Sequence, residues 1–335
     1  MSDRVRLEYS AGKRKMTITI RLMAPRDADA VRRVEAAAFG AWLNRARGRD
    51  EELPWRTRTN VLALREKDPD GCFVAERDGR VVGLIFSRTW GSVGWFGTFA
   101  VLPEYQGQGV GKQLIAASLD YLGRRPDRMI GLETMPQSSG NLGLYLKRGF
   151  QPLFLTIHMY KDLGPSTQCD VALPSWSRAD DENRARWLAE LREATDRIRP
   201  GLDYSKEIIS TSKHRLGDTL ILTDHGRAVG ACTVALVGIR EGPHEEQAPA
   251  YPVVLDPAHA NGDAFQTLLG AGEALARAHG KQKLMIPVNA RHTWALEQVL
   301  LFGYRVKRAL VRMVMPGTDA APRTDKHVDL SRWAG

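Results

Sequence analysis

The chain has 335 residues, of which 43% are hydrophobic and 26% are charged, which predicts a globular protein of about two domains. It has no run of about 18 apolar residues and no apolar signal segment near its start, so we expect no transmembrane helix and a cytoplasmic location. The net charge is +9, and residues 1–165 supply +8 of it from 26 basic and 18 acidic side chains. A phosphate-bearing cofactor, a nucleic acid and a solvated basic surface all fit this excess.

The three cysteines, Cys72, Cys169 and Cys232, lie far apart and form no CxxC pair. They are predicted to be small buried side chains, with a reactive thiol as the alternative. The eight histidines form no HExxH motif and no cluster with cysteine, so no metal site is expected.

The first half alternates strand and helix patterns. The predicted segments begin with a flexible stretch at 1–16, a strand at 17–22, a helix at 27–39 and a polar loop or short interrupted helix at 45–58. Strands follow at 73–76, 81–87 and 93–102, then a helix at 109–123, a strand at 129–134, a short helix at 142–147 and a strand at 151–159. Residues 164–169 are predicted to be a linker.

The second half repeats this order. Its predicted segments are strands at 170–173, 219–223, 228–237 and 253–255 and at 283–288, with helices at 180–193, 264–279 and 293–301. The residues of two pairs, Pro103 with Pro257 and Gly149 with Gly303, are each 154 residues apart. An insertion near 241–249 accounts for the shorter spacing of the earlier hairpins. The sequence therefore predicts two tandem α/β (α+β) domains, at 17–163 and 170–316, followed by a tail at 317–335.

A glycine-rich loop follows the strand at 93–102 and opens the next helix. Glycines at 107, 109 and 111 let backbone amides approach an anion, and the helix N-terminus adds partial positive charge. The spacing fits neither a phosphate-binding GxxxxGK[ST] loop nor a dinucleotide-binding GxGxxG loop. A glycine-rich helix start without a ligand is the alternative.

The spacing Q-x-x-G-x-G, formed by Gln106, Gly109 and Gly111, resembles the GNAT N-acetyltransferase superfamily. Tyr145, followed by Gly149 and Phe150, is similar to that family's YxxxGF segment. The resemblance covers residues 17–160 directly and 170–316 more weakly.

This resemblance implies, in each domain, a mixed sheet that is splayed at its centre and flanked by helices. It implies acetyl-CoA (acetyl-coenzyme A) as cosubstrate, with its pantetheine along the backbone of Phe99, Ala100 and Val101. Its pyrophosphate would be held by the amides of Gln106, Gly107, Gln108, Gly109, Val110, Gly111 and Lys112. It also implies that Tyr145 protonates the departing thiolate, with aromatic packing as the alternative role.

The sequence identifies the general base less specifically than the other site residues. The strand at 93–102 has no carboxylate, and Glu133 on the neighbouring strand is the candidate. A surface or salt-bridged glutamate is the alternative.

The segment at 45–58 lies where the family's first two helices meet substrate. Candidates are Asp50, Glu51 and Glu52 for a cationic amine, Arg45, Arg47, Arg49, Arg56 and Arg58 for a carboxylate or phosphate, and Trp42 and Trp55 for an apolar pocket. A solvated or packing role is the alternative for each. The three acids interrupt the basic run, so nucleic-acid binding is not expected.

The second domain is predicted to be degenerate. At the 154-residue offset, Gln106, Gly109, Gly111 and Tyr145 match Ala260, Asp263, Phe265 and Val299. The predicted function is N-acetyl transfer to a primary amine of a small molecule by direct attack, in a monomer or homodimer with no membrane partner. The alternatives are a non-catalytic acyl-CoA sensor or scaffold and a protein lysine acetyltransferase.

Overall fold

The first half has the predicted strands and helices in the predicted order, with one further helix, at 58–67, that was not anticipated. The computed structural model describes residues 18–48, 52–164, 172–242, 246–317 and 326–331. The strands are β1 (Thr19–Leu22), β2 (Cys72–Arg77), β3 (Arg80–Trp90), β4 (Val93–Val101), β5 (Met129–Thr134) and β6 (Gln151–Asp162). The helices are α1 (Ala28–Arg47), α2 (Arg58–Lys67), α3 (Val110–Leu122) and α4 (Ser139–Leu146).

Helix α1 is longer than its sequence pattern predicts. The apolar positions Val31 and Val34 face the core as expected, but the helix continues past Gly40 to Arg47. It ends at Gly48, whose φ of +65° is the left-handed conformation that terminates helices. Residues 45–47 of the segment expected to be a polar loop are therefore helical, and so is Arg58 at the start of α2.

The second half repeats the order of the elements that follow β1. Its strands are β7 (Gly217–Asp224), β8 (Arg227–Ala235), β9 (Gln247–Leu255), β10 (Lys283–Asn289), β11 (Arg305–Val314) and β12 (Val328–Leu330). Its helices are α5 (Asp181–Ile198), α6 (Ser205–Lys213), α7 (Gly262–Ala278) and α8 (Thr293–Leu301). Helix α6 was not anticipated.

The strand predicted at 170–173 is wrong for residues 172 and 173, and residues 170 and 171 lie outside the described part. Only an isolated bridge between Ser175 and Leu220 forms near this position, so a strand has no continuous partner there.

The strands join into one continuous sheet. Its order is β1-β2-β3-β4-β5-β11-β6-β10-β9-β8-β7, with β12 paired to β9. The mixed α/β class is confirmed, but the two expected sheets interleave at their ends. Strand β11 lies between β5 and β6, and β6 lies between β11 and β10. The strands therefore do not separate at the predicted boundary near residue 164.

Three apolar clusters form the core. One lies in each half, and the third joins them by packing Trp90 and Trp95 of the first half with Trp176 and Trp187 of the second. The two halves therefore share part of their apolar core at this junction.

The predicted burial of the cysteines is confirmed for Cys72 and Cys232, and Cys169 lies outside the described residues. Burial raises the pKa of both thiols to about 12. Thiolate chemistry at these two positions is therefore disfavoured at neutral pH. Within the described ranges, no helix is long and apolar enough to cross a membrane.

The C-terminal segment includes an ordered strand that the sequence pattern did not predict. Strand β12 pairs antiparallel with β9, with Val328 opposite Leu255 and Leu330 opposite Val253. Both Val328 and Leu330 are fully buried in the core of the second half. Residues 318–325 and 332–335 of the predicted tail lie outside the described part.

Replacing Leu330 by alanine is expected to lower the free energy of unfolding by about 2–5 kcal/mol, because a fully buried leucine leaves a cavity. Chemical denaturation measures the change. Leu301→Ala is the control, since Leu301 is 78% exposed and should change the free energy of unfolding by less than about 0.5 kcal/mol. Equal losses in the two variants would contradict the assigned role of β12.

Candidate active site

Strands β4 and β5 part in the middle of the sheet. They pair in parallel from Val93 opposite Met129 to Phe96 opposite Leu132. Residues 97–101 continue β4 but have no partner on β5 among the described strands. We call the point where the strands part the fork. It lies between the two strands that the sequence resemblance predicted to be splayed.

The backbone of Phe99 and Val101 faces the opening. Leu102 donates its N–H to the carbonyl of Val82 on β3 at 2.9 Å, so its backbone groups point to β3. Backbone direction alternates along a strand, which turns Ala100 toward β3 and the residues on either side of it toward the opening. Phe99 and Val101 thus turn their backbone groups away from β3 toward the opening, where no described strand pairs with them, and Ala100 does not.

The glycine-rich loop is attached to this open edge. The side-chain amide of Gln106 donates to the carbonyl of Val101 at 2.9 Å. Gly107 and Gly109 adopt φ of +75° and +82°, and a Cβ at either would meet no atom within 4 Å. Their left-handed conformation requires glycine, and the space beside them is open.

Helix α3 starts without a side-chain cap, because its N-cap residue is Gly109. The amides of Val110, Gly111 and Lys112 occupy the first turn, where helical N–H groups have no intrahelical acceptor. Lys112 is exposed, whereas the side chain of Val110 is buried and contributes only its backbone. The uncapped end therefore suits an anion.

Gly111 is a glycine for a different reason from the one expected. A Cβ there would lie 2.9 Å from the ring of Phe99, so the absent side chain allows that ring to pack on α3. The role of the Gly111 amide in anion binding stays a prediction. Gln108 is exposed and donates from its side chain to the carbonyl of Glu104 at 2.7 Å.

Tyr145 lies at the fork. It is 5% exposed on α4, and its ring packs edge-on against Phe96, the last residue of β4 paired with β5, and against Phe150. Among the described residues, no group forms a hydrogen bond to the Tyr145 hydroxyl. Burial raises its pKa above the ordinary value for tyrosine, which keeps the hydroxyl protonated.

Glu133 is buried and paired. Its Oε1 accepts a hydrogen bond from the Thr156 hydroxyl at 2.6 Å and one from the guanidinium of Arg312 at 3.0 Å. Its Oε2 is also buried and has no hydrogen-bond partner among the described residues. The salt-bridged alternative left open by the sequence is therefore present, and the base role stays a prediction.

Glu133 and Tyr145 approach the fork from opposite faces of the sheet. A Cβ on Gly131 would collide with the Trp95 ring, so Gly131 faces Trp95, and Glu133, two residues on, faces the same way. Leu132 points to the other face, where it packs in the same cluster as Tyr145. The two predicted catalytic side chains thus flank the point where the strands part.

Arg56 is not available to bind substrate, contrary to one sequence-based option. It is buried and forms an ion pair with Glu35 at 2.8 Å and a hydrogen bond to Thr98 at 3.1 Å. Arg240 of the second half binds the same carboxylate at 2.8 Å. Burial raises the pKa of Glu35, but the two guanidinium groups outweigh it and hold the pKa below its usual value.

The other side chains proposed for substrate are dispersed. Arg58 forms an ion pair with Asp29, and Trp55 is 40% exposed, with the guanidinium of Arg32 5.3 Å from its ring centre. Trp42 is half-buried, and Arg45 and Glu52 are exposed. The side chain of Arg47 and residues Arg49, Asp50 and Glu51 lie outside the described part.

A segment of the second half pairs with residues 55–57, which precede α2. Thr57 donates its N–H to the carbonyl of Ile239, and Glu241 donates its N–H to the carbonyl of Trp55, at 2.9 and 2.8 Å. Sequence reasoning missed this contact. The one sequence feature that pointed to this segment was the predicted insertion that begins near residue 241.

The matching fork of the second half is filled. Val253–Leu255, which correspond to Phe99–Val101 at the 154-residue offset, pair with β12. Helix α7 carries its own cap, since the Asn261 side chain accepts the N–H of Ala264 at 2.9 Å. Phe265 and Val299 stand in place of Gly111 and Tyr145, and both are fully buried.

Residues 32–150 match the model of the Acetyltransferase (GNAT) family. These residues form a GNAT acetyltransferase domain. The expected family and its acyltransferase class are confirmed for this domain. Among the described residues, no group of three or more His, Cys, Asp or Glu side chains is arranged to hold a metal ion.

Two curated relatives resemble the GNAT domain. A protein of Bacillus subtilis assigned as [ribosomal protein bS18]-alanine N-acetyltransferase is 26% identical over 45% of this chain and 91% of its own length. Mycothiol acetyltransferase of Amycolatopsis mediterranei is 32% identical over 40% of this chain. The chain spans 46% of that second relative.

A solved structure shares the fold of nearly the whole chain. A Pyrococcus horikoshii protein assigned as an acetyltransferase superposes with a TM-score of 0.67 at 18% identity. The match covers 94% of this chain and 95% of that one, so the GNAT fold extends beyond residues 32–150.

Tyr145 is expected to stay protonated above about pH 10, the ordinary midpoint of tyrosine, because burial raises its pKa. NMR of protein labelled with ¹³C at the tyrosine ζ carbon measures this, with Tyr145→Phe identifying the signal. A Tyr145 signal that titrates below about pH 10 would show that the hydroxyl is solvated.

Proposed function

We propose that the chain transfers an acetyl group from acetyl-CoA to a primary amine of a small molecule. One observation carries the proposal: an unpaired strand edge, an uncapped glycine-rich helix start and a buried tyrosine hydroxyl meet at one fork. These three features supply the groups that a thioester, a pyrophosphate and a departing thiolate need.

The binding residues follow from the same geometry. The open backbone edge at Phe99 and Val101 suits an extended amide-containing chain such as pantetheine, which adds to a sheet as a strand does. The amides between Gln106 and Lys112 suit the pyrophosphate, because the space beside Gly107 and Gly109 is open. Acetyl-CoA supplies the acetyl thioester when bound.

The proposed reaction is a direct attack. The amine nitrogen bonds to the acetyl carbonyl carbon, and the carbon–sulfur bond breaks. Glu133 receives the proton of the attacking nitrogen, and Tyr145 donates a hydrogen bond and then its proton to the sulfur. The raised pKa of Tyr145 ensures that the proton is present when the thiolate forms.

A small-molecule acceptor is favoured by the segment of the second half that pairs with residues 55–57. Residues 239–241 form backbone hydrogen bonds with residues 55–57, and the buried Glu35 joins Arg56 to Arg240 beneath them. This contact reduces the space available to an acceptor on the side where the family's first two helices meet substrate. An extended polypeptide needs an open groove on that side.

A protein amine is the second candidate acceptor. It is supported by the Bacillus subtilis relative, which acts on a ribosomal-protein alanine according to its assignment. A panel of small amines and alanine-starting peptides, followed by thiol release from acetyl-CoA, separates the two. Turnover of peptides alone would favour this second candidate.

We also propose that the second half binds no acetyl-CoA. Its fork is closed by β12, its helix end is capped by Asn261, and Phe265 fills the position of Gly111. The second half thus lacks the open strand edge, the uncapped helix start and the small residue that the proposed acetyl-CoA site of the first half has.

Tyr145→Phe is expected to lower kcat by up to about 10²-fold, because the thiolate loses its proton donor. The affinity for acetyl-CoA should change little, since the ring still packs against Phe96. Steady-state kinetics with a turned-over amine measures kcat, and calorimetry measures binding. An unchanged kcat at pH 7–8 would leave Tyr145 with a packing role only.

Isothermal titration is expected to give one acetyl-CoA site per chain, and Gly109→Ala should weaken it at least about tenfold, the equivalent of one hydrogen bond to a charged group. Gly79→Ala is the matched control, since Gly79 has φ of +77° and equally open surroundings in the β2–β3 turn. Both variants should lose about 1 kcal/mol of stability from the strained backbone. Two sites, or equal affinities in the two variants, would reject the assigned cradle.

A further inference from the structure

We infer that Arg312 of the second half is a positioning residue for the reaction in the first half. It is carried into the site by β11 and orients Glu133 toward the attacking amine. The inference rests on the proposed function, and it gives the second half a direct part in the chemistry.

The pair is built by the interleaved sheet. Strand β11 lies beside β5, with Arg312 directly opposite Glu133. The guanidinium lies 3.0 Å from Oε1, and the two side chains are 5% and 0% exposed. In a pair shielded from water in this way, removing one partner leaves the other as an uncompensated charge.

Only one of the two carboxylate oxygens of Glu133 has hydrogen-bond donors among the described residues. Thr156 and Arg312 both donate to Oε1, whereas Oε2 is buried with no hydrogen-bond donor among the described residues. A buried carboxylate oxygen without a donor is costly, so this position suits an incoming N–H group. Glu133 is also the first residue of β5 beyond the pairing with β4, so it lies where the strands part.

Arg312 is itself fixed on its other sides. Its guanidinium lies over the Trp95 ring, 5.4 Å from the centre. The same Nη2 atom lies 3.5 Å from the carbonyl of Ser331, the residue that follows β12. The strand that closes the second fork thus also braces the guanidinium that orients Glu133 at the first fork.

Other titratable groups surround the pair. They are His158 on β6, His292 before α8, and His327 and Asp329 in the C-terminal segment. Burial, with His327 and Arg312 adding to it, lowers the pKa of His292 well below its usual value. His292 therefore stays neutral over the neutral range of pH.

The test compares kcat against pH for the full chain and three variants. Arg312→Met leaves a buried carboxylate without its cation, and such a group takes up a proton at higher pH. We expect kcat to fall by about 10- to 100-fold and the acid limb of the profile to move up by about one pH unit or more. Glu133→Gln should lower kcat similarly and abolish that limb, and the double variant should be no worse than Glu133→Gln.

Arg308→Met is the matched control, because Arg308 lies on the same strand but is exposed. Its kcat and pH profile should equal those of the unmodified chain. All variants should bind one acetyl-CoA with unchanged affinity, which also verifies that they are folded. Arg312→Lys serves if Arg312→Met does not fold. Lysine keeps the positive charge but lacks the planar guanidinium. The acid limb of the kcat profile should therefore stay at the same pH, while kcat falls several-fold.

The outcomes separate the inference from the proposed function. An unmodified chain that acetylates no amine would reject the function. An active chain whose Arg312→Met variant keeps the original acid limb would reject the inference alone. So would an Arg312→Lys variant with unchanged kcat.

Discussion

Strands that part inside a sheet leave backbone N–H and C=O groups without partners, and such groups need a partner when water is excluded. The two halves of this structure meet that need in different ways, each at its own fork. In the first half, the edge at Phe99 and Val101 is left open, which suits a ligand that binds as a strand. In the second half, β12 supplies the missing strand.

The interleaving of β6 and β11 makes the two halves depend on each other. Because β11 lies against β5, a residue of the second half contacts Glu133 within the first. The segment at 239–241 makes a second contact, at the connection between α1 and α2. The second half therefore builds two sides of the proposed active site.

Ion pairs across the halves hold this arrangement in register. Glu35 binds Arg56 and Arg240 together, and Lys67 binds Glu207 at 2.6 Å. In a buried pair, desolvation offsets much of the Coulomb attraction, whereas a partner left alone is an uncompensated charge. Such pairs therefore penalise any packing of the halves that separates them.

Local chemistry made much of the molecule predictable from the sequence. The alternation of strands and helices follows apolar periodicity, and the turn-forming glycines of the α3 loop follow from backbone sterics. The repeat in register across 154 residues follows from comparing the chain with itself. Together with Tyr145 and Gly149-Phe150, these were enough to identify the GNAT fold and to predict the region of the site.

Contacts between residues distant in the chain were decided only by the tertiary structure. The pairing of Glu133 with Arg312 joins positions 179 residues apart, and nothing in the local pattern around either indicates the other. The burial of Arg56 beside Glu35 and the seating of β12 in the second fork have the same origin. Periodicity reports which face of an element is apolar. Which charge lies opposite which carboxylate depends on the order of strands in the sheet, and that order is set when the two halves pack.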